Sequence, residues 1–238
     1  MTHYFGQANV TPIINSIRNV PVSFLLEKKI VFIHSDFDTI ELIYGNFENR
    51  KLITFIRDPL ERIISIFKFW KAHNFELLKD NIAVRLTHEH KFSDFFKVPY
   101  VRMCLENNMF ARFIGYKTFK EIKKTYSHLN KRKKEQYIKE EIIPLIKKRY
   151  SNYFFVGILE NLKNEIKSLL NKMQLNPDYL PEIPKIYSMH PHFDHEFYNS
   201  NILKNKNNIP SHLKTLIELD SVLYSTIKEI KKRSLTSC

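Results

Sequence analysis

The hydrophobic positions of this chain form three short continuous runs and two longer helical patterns. The runs are rich in β-branched and aromatic residues and predict buried strands at Ile30–His34, Leu52–Arg57 and Tyr153–Ile158. Apolar residues recur at helical spacing from Leu159 to Met173 and from Leu213 to Ile230, which predicts two amphipathic helices. Strands that alternate with helices predict an α/β fold with a parallel sheet.

Polar residues dominate two other segments. Residues 130–150 are rich in Lys, Arg and Glu and predict a helix with a solvated face, which Pro144 breaks or kinks. Residues 174–208 contain four prolines and many asparagines, so we expect a long irregular connection there. Because no internal repeat and no linker interrupt the pattern, the sequence predicts a single domain over residues 1–238.

The amino-acid composition favours some classes of function and excludes others. The 238 residues include 38 Lys and Arg against 25 Asp and Glu, a net charge of +13. This excess favours anionic partners, but a base-composition bias in the coding DNA explains a Lys- and Asn-rich chain equally well. The 4 glycines leave no G-x-G-x-x-G turn and no G-x-x-x-x-G-K-[ST] loop. The 2 cysteines, the lack of a membrane-spanning apolar run and the lack of a signal peptide predict a cytoplasmic protein.

The junction between the second predicted strand and the following helix carries candidate chemistry. Asp58 is a favoured N-cap, Pro59 suits the first helical position, and Glu61 completes the capping-box spacing. Arg57 then lies at the carboxyl end of a strand and beside a helix N-terminus, where open α/β sheets bind anionic ligands. Ser65 would add a hydroxyl to a phosphate site, although a capped helix with surface arginines explains the same pattern.

Several segments together resemble carbohydrate sulfotransferases, in particular the heparan and uronyl 2-O-sulfotransferase branch. Phe55–Ser65 is similar to the family's strand followed by R-D-P-x-x-R-x-x-S, the motif for the donor's 3′-phosphate. Tyr153–Leu162 is similar to a strand with V-G-x-x-E-x-L, and Asp220–Tyr224 resembles the closing D-x-x-L-Y helix. Asn108–Phe113 is similar to a mid-chain N-x-x-x-R element.

The resemblance implies a fold, a donor and a set of ligands. The fold is a three-layer α/β arrangement, a P-loop-like parallel sheet flanked by helices. The donor is 3′-phosphoadenosine 5′-phosphosulfate (PAPS), and the acceptor is a hydroxyl group, expected on a saccharide. Arg57 and Ser65 carry over as ligands of the 3′-phosphate. The mechanism needs no metal, because protein cations and amides stabilise the developing charge.

The resemblance also implies a general base. In the 2-O-sulfotransferase branch, a histidine follows a strand upstream of the arginine motif. His34 stands at the matching place, 23 residues before Arg57. A neutral imidazole suits removal of a hydroxyl proton near pH 7. The alternative is a strand-end histidine with a local hydrogen bond.

The chain departs from the family at the loop that holds the 5′-phosphosulfate. The family pattern is P-K-T-x-x-[ST], and the best match begins at Phe5 and ends at Thr11. Gln7 occupies the lysine position, so the cation beside the leaving phosphate is missing. A missing natural N-terminus, a degenerate loop in a weak or non-catalytic homologue, and substitution by another cation all remain open explanations.

Two further patterns suggest other chemistry. Met189–Glu196 holds three histidines and two carboxylates, which are metal-ligand types, but a polar surface loop explains them as well. Basic clusters at Lys131–Lys134 and Lys147–Arg149 are compatible with nucleic-acid binding. No helix-turn-helix, RNP or zinc-finger pattern accompanies them, which argues against nucleic acid as the partner. A third possibility is a non-catalytic homologue that binds a nucleotide or an acidic glycan without turnover.

Overall fold

The computed structural model describes residues 37–44, 51–177, 194–199 and 209–236. The predicted strand Ile30–His34 and most of the irregular connection 174–208 lie outside these residues. The chain divides into two compact units, which are treated separately below. The first comprises Met1–Leu52 with Met109–Phe154, and the second comprises Ile53–Asn108 with Phe155–Cys238.

The described residues form a helix-rich α/β structure. The strands are β1 (Ile53–Ile56) and β2 (Phe155–Ile158). In chain order the helices are α1 (Phe37–Tyr44), α2 (Pro59–Lys71), α3 (Phe75–Leu78), α4 (Ile82–Glu89), α5 (Phe92–Phe95), α6 (Pro99–Leu105), α7 (Asn108–Ile114), α8 (Tyr116–Tyr126), α9 (Lys131–Tyr137), α10 (Ile143–Tyr150), α11 (Leu162–Lys172), α12 (His195–Asn199), α13 (Ser211–Leu216) and α14 (Glu218–Thr236). A π-helical turn spans Ile138–Ile142, and a 3-10 turn spans Leu159–Asn161.

Strands β1 and β2 pair in parallel within the second unit. The register runs from Ile53 opposite Phe155 to Ile56 opposite Ile158. The predicted strands at 52–57 and 153–158 are therefore confirmed, with slightly shorter ends. Among the described residues the sheet has these two strands, and the three-layer arrangement that the resemblance implies is not seen.

The parallel pairing brings a glycine against an aromatic ring. A Cβ atom on Gly157 would lie 2.4 Å from ring carbons of Phe55. A side chain at this position therefore cannot be accommodated unless the ring moves. The glycine of the V-G-x-x-E motif allows the β1 phenylalanine to lie across the neighbouring strand.

The core of the second unit lies on the buried face of α2. Ile63 and Phe67 are buried there, and the Phe67 ring makes edge contacts with Phe92 and Phe95. The remaining buried members of this cluster come from the α5–α6 segment and from α13 and its end: Phe96, Val101, Leu105, Leu213, Leu216 and Ile217. Burial of this apolar face fixes the direction of α2.

The predicted helix over residues 213–230 is divided into α13 and α14. Asn107 satisfies both ends of the break: its N–H donates to Leu216 O (2.8 Å), and its Oδ1 accepts from the N–H of Leu219 (2.8 Å). Periodicity does not reveal the break, because the hydrophobic spacing continues across it. The predicted helix over 159–173 is confirmed as α11, preceded by the 3-10 turn.

The first unit contains the charged segment 130–150, which is helical as predicted. Pro144 is the second residue of α10 and follows the π-helical turn. Proline has no N–H to donate, so the regular hydrogen-bond pattern is interrupted where the kink was predicted.

A charged cluster in the first unit links distant parts of its chain. Asp38 accepts hydrogen bonds from the N–H groups of Lys117 (2.9 Å) and Thr118 (3.4 Å) at the start of α8. Arg149 lies 3.6 Å from the same carboxylate, and Gly115 before α8 has φ +102°. We call Asp38, Gly115 and Arg149, together with these two N–H groups, the Asp38 cluster.

Candidate functional site

The candidate site begins where β1 ends and α2 begins. Asp58 is the N-cap, and its Oδ1 accepts from the N–H of Glu61 at 3.0 Å. Pro59 is the first residue of α2, as predicted. This local chemistry starts the helix immediately after the strand and leaves Arg57 between the two elements.

A distant carboxylate also holds this junction. The N–H of Asp58 donates to Glu160 Oε1 at 2.7 Å, across a separation of 102 residues. The hydroxyl of Tyr224 donates to the other oxygen of Glu160 at 3.1 Å. We call Asp58, Glu160 and Tyr224 the Glu160 cluster. Three of the four segments that resemble sulfotransferase motifs therefore meet at one carboxylate.

The Glu160 cluster perturbs the tyrosine within it. Burial raises the pKa of Tyr224 to about 12, and the negative charge and hydrogen bond of Glu160, followed by the charge of Asp58, act in the same direction. An ionised phenolate would lose the hydrogen bond to Glu160 and repel it. Tyr224 is therefore a neutral donor at physiological pH.

Arg57 differs from its neighbours because its charge is not used within the described part of the chain. Its side chain is half-buried, and no hydrogen bond or ion pair joins its guanidinium to any described residue. The start of α2 lies beside it, with a partial positive charge from the helix dipole. A guanidinium next to a helix N-terminus is suited to a bidentate phosphate contact.

Ser65, the second described ligand candidate, lies two turns into α2. Its Oγ is 3.1 Å from the hydroxyl of Tyr198 on α12, and either oxygen is able to donate. The ammonium of Lys68 lies 5.4 Å from the centre of the Tyr198 ring. A polar group and a cation thus accompany the hydroxyl that the resemblance assigns to the 3′-phosphate.

The second arginine of the motif has a different role from the first. Arg62 Nη1 lies 3.6 Å from Asp220 Oδ2, and its Nη2 donates to Asn108 Oδ1 at 3.0 Å. The Asp220 side chain is 0% exposed and that of Arg62 is 18% exposed. The pair joins α2 to α14, so the charge of Arg62 is used within the fold.

An open pocket of about 600 Å³ lies beside the start of α2. Its charged lining residues are four carboxylates and one lysine: Asp58, Glu61, Glu160, Glu218 and Lys214. This balance does not favour a phosphate group. Arg57 is not among the residues that line the pocket, so the candidate anion site and this pocket are distinct.

The structure describes two of the five site residues that the sequence predicts. Arg57 and Ser65 lie at the end of β1 and on α2, whereas Gln7, Thr11 and His34 fall outside the described residues. Most of the histidine-rich segment also lies outside them, and the described residues contain no group of three or more metal-ligating side chains.

Three residues of the site had no predicted role. Glu160 and Tyr224 belong to motifs noted in the sequence, but the motifs do not state that the two side chains meet. Tyr198 had no sequence signal, because a lone tyrosine after an irregular segment resembles any surface residue.

The strand, the capped helix and Arg57 define an α/β protein with a candidate anion site at a strand end. A profile of the sulfotransferase family matches residues 27–232 of the chain. The chain therefore belongs to the sulfotransferase family, whose members transfer sulfuryl groups. No curated protein and no solved structure matches it. Among the described residues, no helix is long and apolar enough to cross a membrane.

Proposed function

We propose that this protein transfers a sulfuryl group from PAPS to a hydroxyl group of a saccharide. Family membership supports sulfuryl transfer in general. The observation that carries the donor assignment is Arg57, a half-buried arginine at a strand end whose charge no described residue uses. Such a group fits a phosphate that arrives with the ligand.

In the proposed mechanism, Arg57 and Ser65 hold the 3′-phosphate of the donor. His34 takes the proton of the acceptor hydroxyl as its oxygen attacks sulfur in line. The new O–S bond forms while the bond from sulfur to the bridging oxygen of the donor breaks, and adenosine 3′,5′-bisphosphate leaves. Thr11 and the backbone around Gln7 would bind the 5′-phosphate.

Gln7 supports a second candidate, a homologue that binds the nucleotide without turnover. A glutamine cannot supply the positive charge that a lysine would place beside the leaving phosphate. Binding and turnover must therefore be tested separately.

Donor binding is tested by calorimetric titration with adenosine 3′,5′-bisphosphate, with mixed oligonucleotides as the comparison. We expect the bisphosphate to bind and Arg57→Ala to weaken it about tenfold or more, because charged hydrogen bonds contribute roughly 1.5–3 kcal/mol. Unchanged affinity in a folded Arg57→Ala protein would refute the 3′-phosphate site. Preference for oligonucleotides would indicate a nucleic-acid-binding protein instead.

Turnover is tested with radiolabelled PAPS and saccharide acceptors. His34→Ala should lower the rate by about 10²–10⁴ with little change in donor affinity. Gln7→Lys should raise the rate if the glutamine occupies the family's lysine position. If the wild type binds the nucleotide without turnover and the Gln7→Lys variant transfers the sulfuryl group, the non-catalytic alternative is established.

A further inference from the structure

We propose that Glu160 is a positioning residue for the donor's 3′-phosphate. Its carboxylate holds the peptide between Arg57 and Asp58 so that the Arg57 side chain is directed toward that phosphate. This inference rests on the proposed function, because it assigns Arg57 to a phosphate ligand. Glu160 itself contacts neither the donor nor the acceptor in this proposal.

The sheet register explains why Glu160 lies at this position. Ile56 and Ile158 are partners at the ends of β1 and β2. Asp58 and Glu160 each lie two residues beyond those ends, so the parallel register places them side by side. The hydrogen bond between Asp58 N and Glu160 Oε1, 2.7 Å long, extends the pairing past the sheet through a side chain.

This hydrogen bond acts on Arg57 through the geometry of the peptide. The N–H that Glu160 accepts belongs to the peptide unit that follows Arg57. That unit is planar and includes the Cα atom of Arg57. A short bond to a charged acceptor therefore restricts the direction in which the Arg57 side chain leaves the backbone.

Glu160 is itself fixed from the opposite side. Tyr224 donates to its second oxygen, and Tyr224 lies on α14. The pair between Arg62 and Asp220 joins that helix to α2, and Leu223 on the same helix is buried. Both oxygens of Glu160 are thus engaged by groups whose own positions are set by the core.

The sign of the charge separates positioning from electrostatics. A carboxylate near a phosphate site weakens phosphate binding by repulsion. If Glu160 acted through its charge, it would therefore lower the affinity for the phosphate. Glu160→Gln removes the charge but keeps an oxygen that accepts from Asp58, whereas Glu160→Ala removes both, so the two variants separate the effects.

The test measures affinity for adenosine 3′,5′-bisphosphate and for adenosine 5′-phosphate, which lacks the 3′-phosphate. We expect Glu160→Ala to weaken the bisphosphate about three- to tenfold and to leave the monophosphate unchanged. Glu160→Gln should bind the bisphosphate as tightly as the wild type or more tightly. In an Arg57→Ala background, Glu160→Ala should have no further effect. Glu76→Ala, which removes an exposed carboxylate on α3, is the matched control for charge.

Each other outcome overturns the inference. Equal weakening of both nucleotides would mean that Glu160 supports the fold in general. If Glu160→Gln binds the bisphosphate as weakly as Glu160→Ala, the hydrogen bond accepted from Asp58 is not the cause of the effect. If Glu160→Ala binds the bisphosphate with unchanged affinity while Arg57→Ala binds it more weakly, the inference is rejected and the proposed function stands. A wild type that does not bind the bisphosphate would reject the proposed function, and the inference with it.

Discussion

The Asp38 cluster of the first unit and the Glu160 cluster of the second use the same chemistry at a helix start. In each, a carboxylate from far along the chain accepts from backbone N–H groups at or just before the first turn of a helix. The clusters differ in their arginines. Arg149 lies 3.6 Å from Asp38, whereas Arg57 has no ion-pair partner among the described residues.

This difference distinguishes an arginine that stabilises a fold from one available to a ligand. A partly buried charge costs free energy unless an opposite charge or a hydrogen-bond acceptor compensates it. In the first unit the protein itself supplies the compensation. At the end of β1 none of the described residues supplies it, and under the proposed function the donor's phosphate would do so. Arg62 provides an internal comparison, because it belongs to the same motif as Arg57 but is paired with Asp220.

The largest effect is expected when a paired arginine loses its partner. Asp220→Ala leaves the Arg62 guanidinium partly buried without its carboxylate, and the free energy of unfolding should fall by about 3–5 kcal/mol. Urea denaturation measures this loss. The double variant Arg62→Met with Asp220→Leu is the control and should recover most of the stability, because no buried charge is left. A loss below about 1 kcal/mol in Asp220→Ala would contradict the role assigned to this pair.

The next largest effect is expected in the Asp38 cluster. Gly115 has φ +102°, and an added Cβ would lie 2.0 Å from the carboxyl carbon of Asp38. Gly115→Ala should therefore lower the free energy of unfolding by about 2–3 kcal/mol, through backbone strain and displacement of the cap. Gly157→Ala is the matched control in the second unit and should cost about 1 kcal/mol, because the half-buried Phe55 ring must turn and the Phe155 ring must give slightly, without backbone strain. Equal losses of unfolding free energy in the two variants would show that the two glycines do not differ in this way.

The sequence predicted the local features of the site and missed its long-range contacts. Strand β1, the Asp58 cap and Pro59 at the start of α2 follow from neighbouring residues, so pattern and propensity suffice. The meeting of Asp58 with Glu160 depends on which strands pair and in which register. Short apolar runs do not specify register, and only the family resemblance linked the two segments. Likewise, nothing in the spacing of Arg57 and Arg62 states which one is paired.

A smaller effect is expected at Ser65. The serine hydroxyl is neutral, so Ser65→Ala should weaken adenosine 3′,5′-bisphosphate about two- to fivefold, less than Arg57→Ala. Ser65→Thr keeps the hydroxyl and serves as the control. The measurement is the same calorimetric titration used for Arg57. A loss as large as that of Arg57→Ala would place the main phosphate contact on α2 instead of at the end of β1.

The smallest effect is expected on the stability of Arg57→Ala in the absence of nucleotide. Arg57 forms no ion pair or hydrogen bond with the described residues, so its removal should change the free energy of unfolding by no more than about 0.5 kcal/mol. Arg149→Ala is the matched control and should cost more than about 1 kcal/mol, since it removes the cation paired with the partly buried Asp38. With bisphosphate present, the order should reverse: the nucleotide should stabilise the Arg149→Ala protein strongly and the Arg57→Ala protein weakly, because stabilisation follows affinity. Thermal unfolding of both variants, with and without the nucleotide, measures all four values. An Arg57→Ala protein as destabilised as Arg149→Ala without ligand would show that Arg57 supports the fold in the same way as Arg149.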